Sequence, residues 1–581
     1  MNPRPRRSNR IVALLCAASL AASGSWPLAA RAQSPNTLPA LGDSVAEDLS
    51  VGAERQIGEQ IMREIRRDPD YLDDPVLVEY LQSIWQPLLA AARERGNIAA
   101  EIDVRYTFEP FLVRERSVNA FALPGGFVGV HLGLIAMTSS RDELAAVLAH
   151  ELSHVTQRHI ARSIAPSRQA SILAVATTIL GILAASRSSG PSAGSAANAV
   201  IAGGQAAAIQ TQLNFSRDME READRVGFGV MSQAGFSAAG MASMFDKLDQ
   251  SSRLNDSGNY PYLRTHPLTV ERIGEARSRT GTGAVPPPTG SLLEHATMQA
   301  RARALMDPRI ESLRRLEGLD ALAAQTAGAS AMQRSGDSNA EQLPDVLVLG
   351  VGGSRAERLG AAYASALAAT LLRDWTQADK SLALARALSL AYGAEPTDEH
   401  ALRQVQILKV QSMLERGDAV RAVAALAPLR GEASRPVLLL RAQIALVGAA
   451  QAGTPAGPPA SAPGPSAVPA LQASADALQT WVATHPQDAA AWKSLGLIWA
   501  RLGQPLRALR ADAESQLALG DVQGAIDRLR AAQRLARGGG SVDFIEASVV
   551  DARLRAIEAQ RRALLVAEGK KGGRGDGEPP P

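Results

Sequence analysis

Two histidines and a glutamate lie close together near residue 150, in the order His150-Glu151-Leu152-Ser153-His154. The preceding run is rich in Ala, Leu, Val and Glu and has no Pro or Gly, which favours a helix. On a helix, His150 and His154 lie one turn apart on the same face. Two neutral imidazoles at that spacing can hold a divalent metal, most readily zinc, and Glu151 can take a proton from a water that the metal activates. Two histidines that merely share a helix face are the alternative.

A zinc site of this kind needs a third protein ligand. The extended pattern HExxHxxGxxH is absent, because Gln157 and Ile160 occupy its glycine and final histidine positions. His159 lies five residues after His154, and on a continuous helix it points away from the metal face. We therefore interpret His159 as a surface histidine and expect the third ligand elsewhere in the chain.

Residues 215–224, Phe-Ser-Arg-Asp-Met-Glu-Arg-Glu-Ala-Asp, form a second helix-compatible segment that offers this ligand. Glu220 and Asp224 are four residues apart and share a helix face, whereas Glu222 points to the far side. Glu220 can bind the metal while Asp224 accepts a hydrogen bond from a ligating imidazole, which leaves Glu222 as a solvated charge. For this segment alone, three acids on an exposed face are the alternative.

Further short motifs flank the HExxH and ExxxD segments. Asn119-Ala-Phe-Ala-Leu-Pro-Gly-Gly126 and Gly133-Leu-Ile135 precede them, and Arg264-Thr-His-Pro267 follows them. Together the motifs resemble the M48 family of zinc metallopeptidases over about residues 115–275. The resemblance implies a zinc metalloendopeptidase with one Zn²⁺ per chain.

The resemblance also implies roles for individual residues. His150, His154 and Glu220 are the implied zinc ligands, and Glu151 is the implied general base. His266 is the implied regulatory histidine or fourth ligand, which can lie on or near the metal and hold the enzyme latent.

The residues around His266 leave three roles open. Pro267 disfavours helix at the preceding position, which predicts a loop or turn. From there His266 can occupy the open coordination position and block water, donate to the tetrahedral oxyanion, or cap a helix beginning near Leu268 from outside the site. The resemblance favours the first role.

Length and composition predict the fold class. A chain of 581 residues is too long for one core, so two or more domains are expected. Its 61 basic and 58 acidic residues nearly balance, which excludes an overall nucleic-acid footprint. Low aromatic content with abundant alanine fits packed helices. We predict an α+β, mostly helical fold: a zincin-type metallopeptidase domain with a small sheet, followed by an α-helical solenoid resembling tetratricopeptide repeats (TPR).

The first 32 residues predict export to the periplasm. Four arginines precede an apolar run, Ile11–Ala22, and Ala30-Arg31-Ala32 fits a signal peptidase site with cleavage after Ala32. A membrane anchor is the competing interpretation, but the run is shorter than the roughly 20 residues that a spanning helix needs. The only cysteine, Cys16, follows a large Leu15, which disfavours a lipoprotein site.

Local patterns predict the order of domains and elements. Helical periodicity covers residues 51–64 and 75–95, and strand-like alternation covers 102–108, 120–122 and 127–130. The predicted domains are a signal peptide 1–32, a flexible leader 33–50, the M48-like metallopeptidase domain 51–280, a hinge and helical connector 281–345, TPR-like repeats 346–447, a Pro/Ala/Gly linker 448–469, TPR-like repeats 470–565 and a disordered tail 566–581.

Two segments after the HExxH helix are unusual. The apolar run at 172–185 is too short to cross a membrane and predicts a buried or interfacial hairpin, with peripheral membrane contact as an open alternative. The Gly/Ser/Ala-rich stretch 186–204 predicts a mobile lid over the cleft.

The repeats suggest how substrates are chosen. Trp492-Lys-Ser-Leu-Gly-Leu-Ile-Trp499 fits the TPR template, and a solenoid of such repeats has a concave surface for other proteins. A solenoid that only braces the protease is the alternative. The resemblance implies unfolded or misassembled envelope proteins as substrates, quality control of outer-membrane proteins, and contact with the outer-membrane β-barrel assembly machinery through the repeats. A periplasmic chaperone or assembly scaffold with a latent or structural metal site is the rival function.

Overall fold

The computed structural model describes residues 50–164, 216–254, 261–280, 288–321, 354–391, 396–451, 467–538 and 543–569. The predicted signal peptide, the leader up to residue 49, the apolar run 172–185, the lid 186–204, most of the linker and the tail from residue 570 lie outside these ranges.

The first part of the described chain combines helices with one small sheet. Its elements are α1 (Val51–Ile65), β1 (Tyr71–Leu72), α2 (Pro75–Glu94), α3 (Ala100–Arg105), β2 (Glu109–Val113), β3 (Ala120–Leu123), β4 (Phe127–His131), α4 (Leu132–Met137), α5 (Arg141–Thr156), α6 (His159–Ile164), α7 (Arg217–Gln233), α8 (Ala239–Leu254), α9 (Pro261–Thr265) and α10 (Val270–Arg279). The helices predicted over 51–64 and 75–95 are confirmed as α1 and α2.

The sheet has four strands in the order β1-β2-β4-β3. The β2 and β4 strands are parallel, and the other two pairs are antiparallel. Gly125 and Gly126 join β3 to β4 with φ angles of 81° and 93°, a left-handed conformation that glycine adopts without steric cost. The β3 strand lies at one edge and packs against α5, so this edge is next to the HExxH helix.

The strand predicted over 102–108 is wrong, because residues 100–105 form the helix α3. Its alternation did not reflect a half-buried strand: Ile102 is buried, whereas Val104 is 84% exposed. The neighbouring strand β2 was missed. Its five residues, Glu109–Val113, are buried on both faces apart from the first and include a proline, so they lack the alternation of a half-buried strand.

Helix α5 is buried along its length, which explains why its sequence shows no polar face. The Ser140 hydroxyl caps its start by accepting from the backbone N–H of Glu143. Helix α7 packs directly on α5 at Gly227, where an added Cβ would lie 3.0 Å from the backbone oxygen of Ala149. This close approach brings the ExxxD segment next to the HExxH segment.

The later part of the described chain is helical. Its elements are α11 (Leu292–Met306), α12 (Ile310–Glu317), α13 (Arg355–Leu372), α14 (Trp375–Ser389), α15 (Glu399–Glu415), α16 (Ala419–Leu426), a 3₁₀ turn (Ala427–Leu429), α17 (Arg435–Gln451), α18 (Val468–Thr484), α19 (Ala489–Arg501), α20 (Pro505–Ala518), α21 (Val522–Arg537) and α22 (Phe544–Gly569). Helix α11 packs on both α4 and α13, and from α17 onwards each helix packs on the next. The TPR-like solenoid stays a prediction, as do the domain boundaries.

No helix within the described residues combines the length and the hydropathy that spanning a bilayer requires.

Candidate metal centre

Three elements bring four predicted site residues together. Helix α5 carries His150 and His154, α7 carries Glu220, and the bend after α9 carries His266. One nitrogen or oxygen from each side chain lies within 4.8 Å of the others. All four side chains are buried, with no more than 2% of each residue exposed. The loop position predicted for His266 is confirmed.

The spacing of these atoms fits one small cation. The Nε2 atoms of His150 and His154 are 3.0 Å apart, and they lie 3.5 and 3.4 Å from the two carboxylate oxygens of Glu220. His266 Nδ1 lies 2.9 Å from Glu220 and 3.3 Å from His150 Nε2. Four ligands at about 2.0–2.1 Å from a tetrahedral Zn²⁺ would be about 3.3 Å apart, so these residues fit zinc.

The histidines and carboxylates around the site shift one another's pKa values. Burial lowers the pKa of His150, but hydrogen bonds to Asp224 and Glu220 outweigh it and raise that pKa to about 10. Burial raises the pKa of Glu220, yet the facing histidines bring it well below its usual range. Burial holds the pKa of His154 well below its ordinary value.

Asp224 supports one of the two HExxH histidines. Its Oδ1 lies 2.9 Å from His150 Nδ1, on the side of the ring opposite the ligand cluster. Arg272 donates two hydrogen bonds to the same carboxylate, at 2.6 and 2.8 Å. Burial raises the pKa of Asp224, but these hydrogen bonds lower it further, so the group is a carboxylate. Asp224 thus holds the position predicted for it beside an imidazole, and Arg272 was not predicted.

His159 and Glu222 correct two predictions. His159 is completely buried instead of lying on the surface, and its Nδ1 is 2.9 Å from His154 Nδ1. Glu222 is not a freely solvated charge, because its Oε2 lies 3.1 Å from His159 Nε2 and accepts from Arg162 at 2.8 Å. Helix α5 ends at Thr156, so extrapolating its periodicity to residue 159 failed.

No sequence signal marks this break. The two residues at the break, Gln157 and Arg158, are neither Gly nor Pro, yet Arg158 adopts a left-handed φ of 52°. The buried Glu54 carboxylate bonds to the Arg158 guanidinium and accepts from the Tyr106 hydroxyl at 2.6 Å. A contact 104 residues away in sequence thus fixes the turn that directs His159 inwards.

Glu151 lies beside the ligand cluster with no exposure to solvent. Among the described residues, no side chain donates a hydrogen bond to either carboxylate oxygen, and the backbone N–H of Ala122 is the donor that faces it. His266 lies close to this carboxylate, with Nε2 at 3.5 Å from Oε1. Burial raises the pKa of the Glu151 carboxyl above its ordinary value.

Tyr262 is a further buried residue that the sequence did not indicate. Its ring stacks on His266 with centroids 4.6 Å apart. Thr269, not His266, caps α10 by accepting from the backbone N–H of Arg272, so the helix-capping role considered for His266 is wrong. The stacked tyrosine holds the His266 ring against the ligand cluster.

Comparisons with known proteins agree with this geometry. Residues 84–280 match the model of peptidase family M48. The chain is 35% identical over 248 residues to the beta-barrel assembly-enhancing protease of Escherichia coli, and 34% identical over 281 residues to that of Yersinia pestis. It is also 34% identical over 167 residues to the mitochondrial metalloendopeptidase OMA1 of Schizosaccharomyces pombe.

These matches cover part of each protein. The E. coli match spans 43% of this chain and 48% of the relative, the Yersinia match 47% and 54%, and the OMA1 match 29% and 44%. The chain thus matches about half the length of the bacterial relatives. The M48 match, residues 84–280, contains the whole ligand cluster and Glu151. The chain therefore carries a peptidase family M48 domain and resembles the beta-barrel assembly-enhancing proteases.

Proposed function

We propose that this chain is a periplasmic zinc metalloendopeptidase that cleaves misfolded or misassembled envelope proteins. One observation carries the proposal: four buried ligand atoms lie within 4.8 Å of one another, next to a buried glutamate that has no side-chain hydrogen-bond donor among the described residues. A structural metal site has no need of such a base. His150, His154 and Glu220 hold the zinc in this proposal.

Glu151 is the general base of the proposed reaction. Bound zinc would act as a Lewis acid that activates water and polarises the scissile carbonyl. Glu151 takes the proton of the attacking water and passes it to the departing amine. The raised pKa of its carboxyl allows both transfers, and its complete burial keeps bulk water from competing.

The peptide substrate lies along β3. This strand is an edge of the sheet and packs on α5, with the backbone of Ala122 facing Glu151. A peptide added as a further strand there is held mainly through its backbone, so it is straightened with little demand on its sequence. Unfolded segments of many proteins meet that requirement, which folded domains do not.

His266 makes the proposed enzyme latent. Its Nδ1 is as close to Glu220 and His150 as a fourth ligand would be, and Tyr262 stacks on its ring. In that position it excludes the attacking water. Activity then requires the bend that carries His266 to move.

The location and the partners in this proposal are inferred from the first residues of the chain and from its relatives. The basic and apolar segments within residues 4–22 support export to the periplasm. The bacterial relatives are named beta-barrel assembly-enhancing proteases, which supports a link to outer-membrane β-barrel assembly, through substrates or through contact with the assembly machinery.

An assembly scaffold is the second candidate function. An apolar groove of about 710 Å³ lies between α16, α17 and α18, and it is lined mainly by alanine, valine and leucine. Val420 and Val423 on its rim are 78% and 50% exposed. Such a surface could hold a client without cleaving it.

Metal content and casein cleavage of the purified protein separate the two functions. Wild type should carry about one zinc, Glu151→Gln should keep the zinc and lose cleavage, and His266→Ala should cleave faster than wild type. Retained zinc without cleavage from either wild type or His266→Ala would instead support the scaffold.

A further inference from the structure

A line of hydrogen bonds leads from the metal side of His154 to the protein surface. It runs from His154 through His159 to Glu222, and Arg162 supports the last carboxylate. We propose that this line, the His159 relay, positions His154 for metal binding by fixing its tautomer and ring orientation. His159 is thus a positioning residue, and the inference rests on the zinc site of the proposed function.

The geometry permits one consistent placement of protons. The Nε2 atom of His154 faces the cluster, 3.0 Å from His150 Nε2 and 3.4 Å from Glu220. A nitrogen that binds a metal must offer its lone pair, so the proton of neutral His154 lies on Nδ1. That N–H donates to Nδ1 of His159 at 2.9 Å.

The same reasoning continues outwards. Since Nδ1 of His159 accepts, the proton of its neutral ring lies on Nε2, which donates to Glu222 at 3.1 Å. Arg162 donates to the same oxygen at 2.8 Å and keeps it a carboxylate. The pKa of Glu222 is lowered to about 2, first by its hydrogen bond with His159. Each of the two ring N–H groups in the relay therefore donates to an acceptor within the relay.

Burial makes this acceptor necessary. His154 and His159 are both completely shielded from solvent, so bulk water cannot replace His159 as the partner of His154 Nδ1. A buried N–H without an acceptor costs about 1–3 kcal/mol. The proton could then move to Nε2, where it would compete with the metal. His159 removes that competition.

The other HExxH histidine is held differently. His150 Nδ1 meets the carboxylate of Asp224 directly, with Arg272 behind it. A neutral imidazole at the equivalent place beside His154 adds no further negative charge to a centre that already contains Glu151, Glu220 and Asp224. The charged end of the relay, Glu222, lies further out and is partly exposed.

Zinc affinity of the full chain tests the relay. The variants are His159→Phe, which keeps a ring but has no acceptor, and His159→Asn, whose side-chain oxygen can take the place of Nδ1. Glu222→Gln keeps the shape of the acceptor and removes its charge. His400→Phe, at an exposed histidine, is the matched control for His159→Phe. Zinc dissociation constants are measured by competition with a chelator of known affinity, and unfolding midpoints are measured on the metal-free proteins.

We expect His159→Phe to weaken zinc binding about 10- to 100-fold. His159→Asn should recover most of that loss, Glu222→Gln should show a smaller loss, and the His400 variant should match wild type. In the zinc-loaded wild type, proton NMR should show a downfield imidazole N–H from His154, which is lost in His159→Phe. A merely structural role would lower the metal-free midpoint without separating Asn from Phe.

The outcomes separate the relay from the proposed function. If wild type binds no zinc, the metal site itself is overturned. If wild type binds zinc and His159→Phe binds it equally tightly, or if His159→Asn loses as much affinity as Phe, the relay alone is overturned. Should the Phe variant fail to fold, the Asn and Glu222→Gln variants still decide between these outcomes.

Discussion

The candidate metal centre and the contact between α2 and α11 both bury charged or titratable side chains, and they satisfy them differently. At the α2–α11 contact, Arg301 donates to both oxygens of Asp74, and His295 lies between the Tyr80 hydroxyl and the backbone oxygen of Thr138. Every one of these groups has its partner within the fold. At the metal centre, neither oxygen of Glu151 has a side-chain hydrogen-bond donor among the described residues, and the backbone of Ala122 is what faces this carboxylate.

The two histidine environments show the same contrast. Carboxylates at the metal centre raise the pKa of His150 to about 10, in spite of burial. Burial lowers the pKa of His295 to about 4, because its nearest partners are neutral. Three acidic side chains, Glu151, Glu220 and Asp224, surround the histidines of the metal centre, an arrangement that a cation completes. The named groups of the α2–α11 contact are satisfied by one another without a ligand.

Glu151→Gln should produce the largest effect and would sharpen this contrast. Loss of the general base should lower casein cleavage about 10³-fold, within the usual 10²–10⁴ range for such groups. Because burial disfavours the charged carboxylate, the same change should raise the unfolding free energy of the metal-free protein. Cleavage rates and denaturant unfolding check the two results, and a destabilised Gln variant would argue that Glu151 is a structural residue.

Asp74→Asn should lower the unfolding free energy more than any other change at the α2–α11 contact. Asparagine can still cap α2 at Leu77, but it leaves the buried guanidinium of Arg301 without its counter-charge. Breaking a buried pair in this way costs about 3–5 kcal/mol. Denaturant unfolding measures the loss.

Asp374→Asn is the matched control for Asp74→Asn. Asp374 caps α14 through the backbone N–H of Gln377 in the same manner. Its replacement should change the unfolding free energy by no more than about 0.5 kcal/mol, since asparagine and aspartate cap equally well. An equal loss in both variants would show that capping, not charge pairing, stabilises the α2–α11 contact.

The sequence predicts the residues of the metal centre correctly wherever they lie on an unbroken helix. The four-residue spacing from His150 to His154 and from Glu220 to Asp224 places each pair on one face, and α5 and α7 keep that spacing. The prediction failed at His159, where the chain turns after Thr156 through a contact with a distant glutamate. The positions of Tyr262 and Arg272 depend on packing between distant segments, which spacing along one segment does not reveal.

The pH dependence of stability tests the neutral histidine of the α2–α11 contact. The pKa of His295 is about 4 in the folded state and 6.5 in the unfolded state, so the unfolded state binds the proton more tightly. Its contribution to stability is fully present above pH 6.5, is lost as the pH falls from 6.5 towards 4, and changes no further below that. The loss over this window should be about 3 kcal/mol.

His295→Asn isolates that contribution. Asparagine keeps an acceptor for the Tyr80 hydroxyl but cannot take up a proton in this range. Unfolding free energies between pH 8 and pH 4 should therefore fall less steeply for this variant than for wild type. The exposed His400→Asn serves as the control, with a profile parallel to wild type. Parallel profiles for wild type and both variants would mean that His295 does not titrate between these limits.

Glu59→Gln should have the smallest effect and sets the scale for the others. Arg55 and Glu59 form an ion pair at 2.7 Å on the surface of α1, with both side chains more than 40% exposed. Water already solvates these charges, so their attraction is weak, and such helix pairs contribute about 0.3–0.5 kcal/mol. The loss should shrink further in high salt, where charges on the surface are screened. If Glu59→Gln cost as much as Asp74→Asn, burial would not be what distinguishes the charges of the α2–α11 contact.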